Sequence, residues 1–242
     1  MLIPLLTANS FGQSFKLDRE TSVEDHWVLW KDNSKPDTSR LNAIHNYIWF
    51  KYLLTQPDSA FIIADEQIKF ARLKGNKSGV ADGLNLKGNS FVVRGNSEEA
   101  IRYYDSSLVI YLEIDNIPGI TKTYNNLGSN YNRLGDNFKA LNYLDKSLVL
   151  AEQEGDKNAE KNCLNNIGIV YSDLKELDKA LDFYQRAHVL SKELNVEDQI
   201  MLINIGLIYE QQGKVEDAIK TYDEALKLAK ETNDLRNIAN IQ

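Results

Sequence analysis

Four glycines recur at nearly constant spacing: Gly88, Gly128, Gly168 and Gly206, separated by 40, 40 and 38 residues. Three positions after each comes an aromatic (Phe91, Tyr131, Tyr171, Tyr209), and twelve positions after each an alanine (Ala100, Ala140, Ala180, Ala218). A fixed period of this size marks a stacked array of supersecondary units. In such an array each unit contacts only its neighbours, so the 242 residues need not be divided among globular domains. Arrays present long surfaces, which points to binding before catalysis.

The pattern around each glycine is helical. An apolar residue precedes it in three units (Leu127, Ile167, Ile205), with Lys87 in the fourth. Four residues before it stand Leu84, Tyr124, Leu164 and Leu202. With the aromatic, these positions make one face of an amphipathic helix. Glycine inside a helix costs about 1 kcal/mol, so its return at one place predicts a close approach of two helices. Seven residues on, Gly95, Gly135 and Gly213 fit a left-handed helix end, with Lys175 holding that place in the remaining unit. A second helix follows, carrying Ala100, Tyr104 and Leu108 in one unit and Ala180, Tyr184 and Ala187 in another.

The beat extends backwards to Ala60, with Pro57 suited to a first helical turn. The helix before it carries Leu41, Ile44, Ile48 and Tyr52, and Ile48 and Lys51 stand where the glycine and aromatic belong. A degenerate first unit is expected of a terminal cap. Upstream, Thr21–Trp30 reads as a short helix whose Val23, Trp27 and Trp30 seal the core. At the other end the next glycine would fall near position 246, and 236–242 reads as the opening of another first helix. The expected organisation is a leader at 1–13, an extension at 14–37, and an array at 38–242 of five helix pairs plus the first part of a sixth, continuing beyond this chain. The leader begins MLIPLLTA and carries Ser10-Phe11-Gly12. It reads either as the end of a signal peptide that starts upstream of Met1 or as a disordered leader. The first reading favours an extracytoplasmic, periplasmic location over a cytoplasmic one.

Other chemistry is sparse. A net charge of −7 does not suit a phosphate backbone, so no nucleic-acid partner is expected. The histidines His26, His45 and His188 are far apart, and Cys163, the single cysteine, supports neither an intrachain disulfide nor a multi-cysteine metal site. Cys163 reads as a quiet helix residue. Neither a metal nor a cofactor is expected, and no stretch approaches the ~20 apolar residues of a membrane span. Glu98-Glu99 and Glu152-Gln153-Glu154 read as solvated helix faces. Glu24-Asp25-His26 falls in a mobile leader that cannot preorganise a site. His188 replaces a leucine found at Leu108, Leu148 and Leu226 and reads as a packed or edge histidine.

The pattern Leu164…Ile167-Gly168…Tyr171…Ala180…Tyr184…Ala187, repeated as Leu202…Ile205-Gly206…Tyr209…Ala218…Tyr222…Ala225, resembles the tetratricopeptide repeat over roughly residues 38 to 242. The third unit departs from it with Leu144 and Ser147. The period exceeds the usual ~34 residues, and is similar to that of kinesin light chain and of bacterial peptide-responsive regulators. The resemblance implies an all-α, right-handed superhelical solenoid of antiparallel helix pairs. It implies a non-catalytic scaffold for a protein or peptide partner. A second resemblance, carried by residues 30–41 and Gln56-Pro57-Asp58-Ser59-Ala60, is to the N-terminal sensor regions of certain bacterial nucleotide cyclases and histidine kinases. It implies a parent signalling enzyme whose catalytic domain this chain lacks.

The seam fixes which residues face away from it. At ~100° per residue, positions six before, two before, one after and five after each glycine point the other way. In tetratricopeptide folds that face lines the concave groove. It carries Asn89, Lys122, Asn126, Arg133, Asn166 and Asn204, with Asn85 at its flank. Asn is a poor helix former whose amide both donates and accepts. These residues therefore read either as a ladder for an extended peptide or as bonds tying one unit to the next. The row turns apolar at Ile169, Ile200 and Leu207, where a partner or a following unit would sit. An open C-terminal end also raises the prospect of self-association.

Overall fold

The computed structural model describes residues 21–196 and 199–231. The leader at 1–13 and the opening of a sixth pair at 236–242 lie outside the described residues. Among the described residues there are eleven helices: α1 (Val23–Lys31), α2 (Asp37–Tyr47), α3 (Pro57–Leu73), α4 (Lys77–Val93), α5 (Ser97–Glu113), α6 (Ile117–Arg133), α7 (Asn137–Glu154), α8 (Lys157–Asp173), α9 (Leu177–Glu193), α10 (Gln199–Gln211) and α11 (Val215–Glu231). The fold is an all-α helical repeat, with α2/α3 through α10/α11 as its five pairs. The chain divides into two compact units between Tyr143 and Leu144, inside α7.

The local signals account for the boundaries. Asn76, Asn96 and Asn116 each accept a bond from the backbone N–H three residues on, and Asp156 does the same at α8. Each satisfies a donor that the first helical turn leaves open. The turn after a first helix ends on a left-handed residue, Gly95 at φ 75° in one repeat and Lys175 at 63° where glycine is missing. An L side chain is strained there.

At three of the four places the recurring glycine is explained by the tyrosine sixteen positions on. A Cβ on Gly88 would lie 2.6 Å from the Tyr104 ring, and on Gly168 2.6 Å from the Tyr184 ring. Gly206 and Tyr222 are related in the same way, at 2.4 Å. In the first repeat the sizes reverse: Ile48 stands in the glycine place and Ala64 in the tyrosine place, both fully buried in the core of the first unit. Volume is conserved across the pair although neither residue is.

The first repeat departs in a second way. From Ile48 to Tyr52 its first helix winds as a π-helix, with Leu53 N–H bonding Ile48 C=O at 3.0 Å. A π turn takes in one more residue than an α turn. Tyr52, one position later than the repeat's aromatic, thus joins the residues packed on the core. Lys87, the exception to the apolar pattern, stays only 8% exposed. It ion-pairs with Asp65 and lies 4.2 Å from the Phe61 ring centroid, a cation–π contact that suits a half-apolar side chain.

At the N-terminal end α1 packs on α2. Trp30 belongs to the core, Trp27 lies 4.8 Å from Tyr47, and Arg40 Nε donates to Trp30 C=O at 3.0 Å. The segment Glu24-Asp25-His26 is therefore not a mobile leader: it opens α1. His26 is buried with its ring stacked on Phe50 at 6.2 Å, and Glu24 pairs with Lys51 at 3.6 Å. The second unit has its own apolar clusters, one around Tyr184, Ile205 and Ile208 and another around Leu164, Ala187 and Met201.

Candidate binding face of the first helices

The asparagines tie repeats together. In the first unit Asn85 is fully buried on α4. Its Nδ2 donates to Ser107 Oγ at 2.6 Å and Thr123 Oγ1 at 3.2 Å, and its Oδ1 accepts from Asn126 Nδ2 on α6 at 3.4 Å. In the second unit Asn204 Nδ2 donates to Asn165 Oδ1 at 2.9 Å. The relationship is the same in both: the residue two before a glycine donates to the residue three before the preceding glycine. Asn85 is thus an interior residue rather than part of an open groove, because its flank position turns it towards the next first helix. The recurrence of asparagine has a structural use, since a buried amide left unbonded costs about 1–3 kcal/mol.

The other singled-out residues divide by exposure. Asn89 is 1% exposed; its Oδ1 accepts from the Tyr104 hydroxyl at 2.6 Å, and its Nδ2 has no partner among the described residues. Asn126 and Asn166 are buried. Arg133 is exposed at the end of α6 and forms no ion pair among the described residues. Asn204 is half-buried.

Lys122 is buried near Asp82, which takes the same place one repeat earlier. Tyr111 reaches this pair across the repeat and donates its hydroxyl to Asp82. Its ring fits because Gly119 leaves the space, as a Cβ there would lie 2.4 Å from the ring. Burial pushes the Asp82 carboxyl up to about 6, while Lys122 and the hydroxyls of Tyr111 and Ser78 pull the other way. Burial lowers Lys122, and Asp82 opposes that shift. The His45 imidazole, also buried, is held well below its ordinary range by burial and then by the Lys122 charge. This is a desolvated charge cluster, fixed by hydroxyls from two helices.

In the second unit the corresponding row stays open. Ile169 on α8 and Ile200 on α10 are half-buried, and Leu207 is 41% exposed. Asp173 and Gln211 are exposed on the same helices. Cys163 is the packed residue expected: its thiol donates to Ser147 Oγ at 3.0 Å, and burial pushes it up to about 12. His188 is half-buried, as a packed or edge position requires. Among the described residues no group of three His, Cys, Asp or Glu is placed to hold a metal ion, and no helix is long and apolar enough to cross a membrane.

A tetratricopeptide-repeat profile matches residues 119–193, and a second matches residues 201–231. These units are tetratricopeptide repeats. No curated protein matches the chain in sequence. Among solved structures the array is similar to BtubC (BKLC) from P. vanneervenii, with a TM-score of 0.69 and 18% identity over 90% of this chain and 93% of that one. It is similar to a Rap protein complexed with competence and sporulation factor, with a TM-score of 0.73 and 16% identity over 90% of this chain. A third likeness is to aspartyl phosphate phosphatase F from Bacillus subtilis, with a TM-score of 0.70 and 17% identity over 92% of this chain. The chain spans 61% of each of these last two. At such identities the likeness is one of tetratricopeptide fold.

Glu98 is exposed, as a solvated helix face requires, and forms a wall of a surface cavity of about 430 Å³ together with Arg133 and Leu134. The cavity has no local sequence signal, but the register of Glu98 recurs: ten after the glycine place the chain has Asp58, Glu98, Phe138, Asp178 and Glu216.

Proposed function

We propose that the chain is a protein- or peptide-binding scaffold that takes an extended segment along the face of its first helices. The observation that carries this reading is the open row of the second unit. Leu207 is exposed and Ile169 and Ile200 are half-buried, with Asp173 and Gln211 on the same two helices. Apolar area flanked by polar groups suits a partner that buries one side chain and orients its main chain. At the corresponding register Asn166 and Asn204 stand in the second unit, and Asn89, Asn126, Lys122 and Arg133 in the first, where of these four Arg133 is exposed. The Rap structure complexed with competence and sporulation factor lends support from a similar fold.

Selection of peptides on the intact chain tests this. Peptides recovered from a displayed random library should lose affinity roughly tenfold, about 1.4 kcal/mol, when Leu207→Lys is combined with Gln211→Ala. Both residues are exposed, so helicity should stay unchanged. Selected peptides that bind the double variant as tightly as the parent would defeat the reading.

A further inference from the structure

Two of the four repeat junctions close with the same side-chain bridge; of the other two, one has apolar residues at both places, Phe138 and Leu174, and one keeps the acid without its donor. Asp58, at the start of α3, accepts from Arg94 Nη1 at 2.8 Å, where Arg94 ends the first helix of the next repeat. Asp178, at the start of α9, accepts from Gln212 Nε2 at 2.8 Å in the same arrangement. The acid stands ten after one glycine place, and the donor six after the next. At the junction of the second and third repeats the acid is Glu98 and the donor place holds Leu134. Leu134 is 47% exposed, and the Glu98 carboxylate makes no hydrogen bond or ion pair among the described residues. Where the bridge would lie there is instead the cavity of about 430 Å³, lined by Gly95, Asn96, Ser97, Glu98, Arg133 and Leu134.

We infer that this cavity is a subsite for a basic side chain of a partner protein, an arginine whose guanidinium takes the place that Arg94 fills beside Asp58. The argument is charge complementarity, shown by the chain itself. A guanidinium and a planar amide both satisfy the acid at this register, and each donates from the position of Leu134. The exposed aliphatic surface of Leu134 offers a wall for the methylenes of the incoming side chain. Arg133 lines the same cavity and forms no ion pair with Glu98. Its charge opposes a second cation, so the site favours a guanidinium that approaches along the Glu98 wall. The inference concerns the turn edge of the array and stands or falls separately from the open row of the second unit.

Titrating the ¹⁵N-labelled chain with N-acetyl-arginine amide, and with the citrulline and glutamate counterparts, tests it. The arginine probe should shift the Gly95, Ser97 and Glu98 amides saturably, about three- to fivefold more tightly than citrulline, the gain expected of one exposed ion pair. Glu98→Gln, a surface change that leaves folding intact, should remove that preference. Leu134→Arg should rebuild the bridge to Glu98 and abolish the shifts, while Arg133→Gln should strengthen them. Equal binding of citrulline, undiminished binding to L134R, absence of shifts, or preference for the glutamate probe would each overturn the assignment. The last result would make Arg133 the anchor for a carboxylate.

Discussion

Tyr104 fills the space that Gly88 leaves empty, so closely that a Cβ on the glycine would lie 2.6 Å from the Tyr104 Cε1 atom. The same pairing joins Gly168 to Tyr184. Alanine ordinarily stabilises a helix interior relative to glycine by about 1 kcal/mol. Here Gly168→Ala should destabilise, by about 1–3 kcal/mol, because a rigid ring and backbone must separate. Urea unfolding of the variant measures this. A rise in midpoint would show that the ring can turn aside at no cost.

The reversed pair Ile48 and Ala64 predicts a rescue. Gly168→Ile and Tyr184→Ala should each cost several kcal/mol, one by clash and one by leaving a cavity. Together they should cost at least about 1 kcal/mol less than the sum, since the double variant reproduces the first repeat's combination. A double-mutant cycle reads the coupling directly, and additive costs would mean that the two positions do not share volume.

Asp82 makes stability depend on acidity. Its folded carboxyl titrates at about 6, above the ~3.9 of an unfolded aspartate. The raised value means that the fold prefers the protonated form. The contribution is fully present below about pH 4 and is lost as pH rises through about 6, by up to about 3 kcal/mol. The stability of the parent relative to Asp82→Asn should therefore fall between pH 4 and 7, and thermal melts of both proteins across that range show it. A difference that grows with pH would mean that Lys122 and Tyr111 outweigh burial.

Lys175 sits at φ 63° in a place that glycine fills at Gly95, Gly135 and Gly213. Lys175→Gly should raise stability by roughly 0.5–1 kcal/mol, the strain of a left-handed lysine less the extra freedom of the unfolded chain. Asp115 and Asn195, also left-handed, should gain less from glycine because short polar side chains tolerate that region. A shift in denaturation midpoint decides between them.

Cys163 should react with a thiol reagent only as the array opens. Its thiol is buried, bonded to Ser147 and pushed up to about 12, so little thiolate is available at pH 8. Labelling should track unfolding in denaturant. Prompt labelling of the folded chain at pH 8 would contradict the packing described.

What the sequence revealed followed from period and polarity. The glycine beat and the sealing tryptophans each obey a rule that acts within a turn or two of helix, and each is found as expected. The reason for the beat was less visible, because it depends on the residue facing the glycine. Tyr104, Tyr184 and Ala64 could be counted, but their contacts could not. The inner asparagines show the same boundary. Their recurrence was plain, whereas the bonds from Asn126 to Asn85 and from Asn204 to Asn165 depend on the lateral offset of neighbouring helices. The surroundings of Lys87 were hidden for a related reason. A charge among apolar positions says little until its neighbours are known, and Phe61 and Asp65 supply them for Lys87.

The reversed size of Ile48 and Ala64 bears on how an array of near-copies assembles correctly. If the first helix of the opening repeat docked on the second helix of the next, Ile48 would meet Tyr104 and two bulky groups would collide. Gly88 against Ala64 would leave a void. Either mispairing is penalised, while exchange among the glycine–tyrosine repeats is not. The reversed pair thereby sets this repeat apart from those that follow it, which disfavours the out-of-step association to which tandem copies are prone during folding.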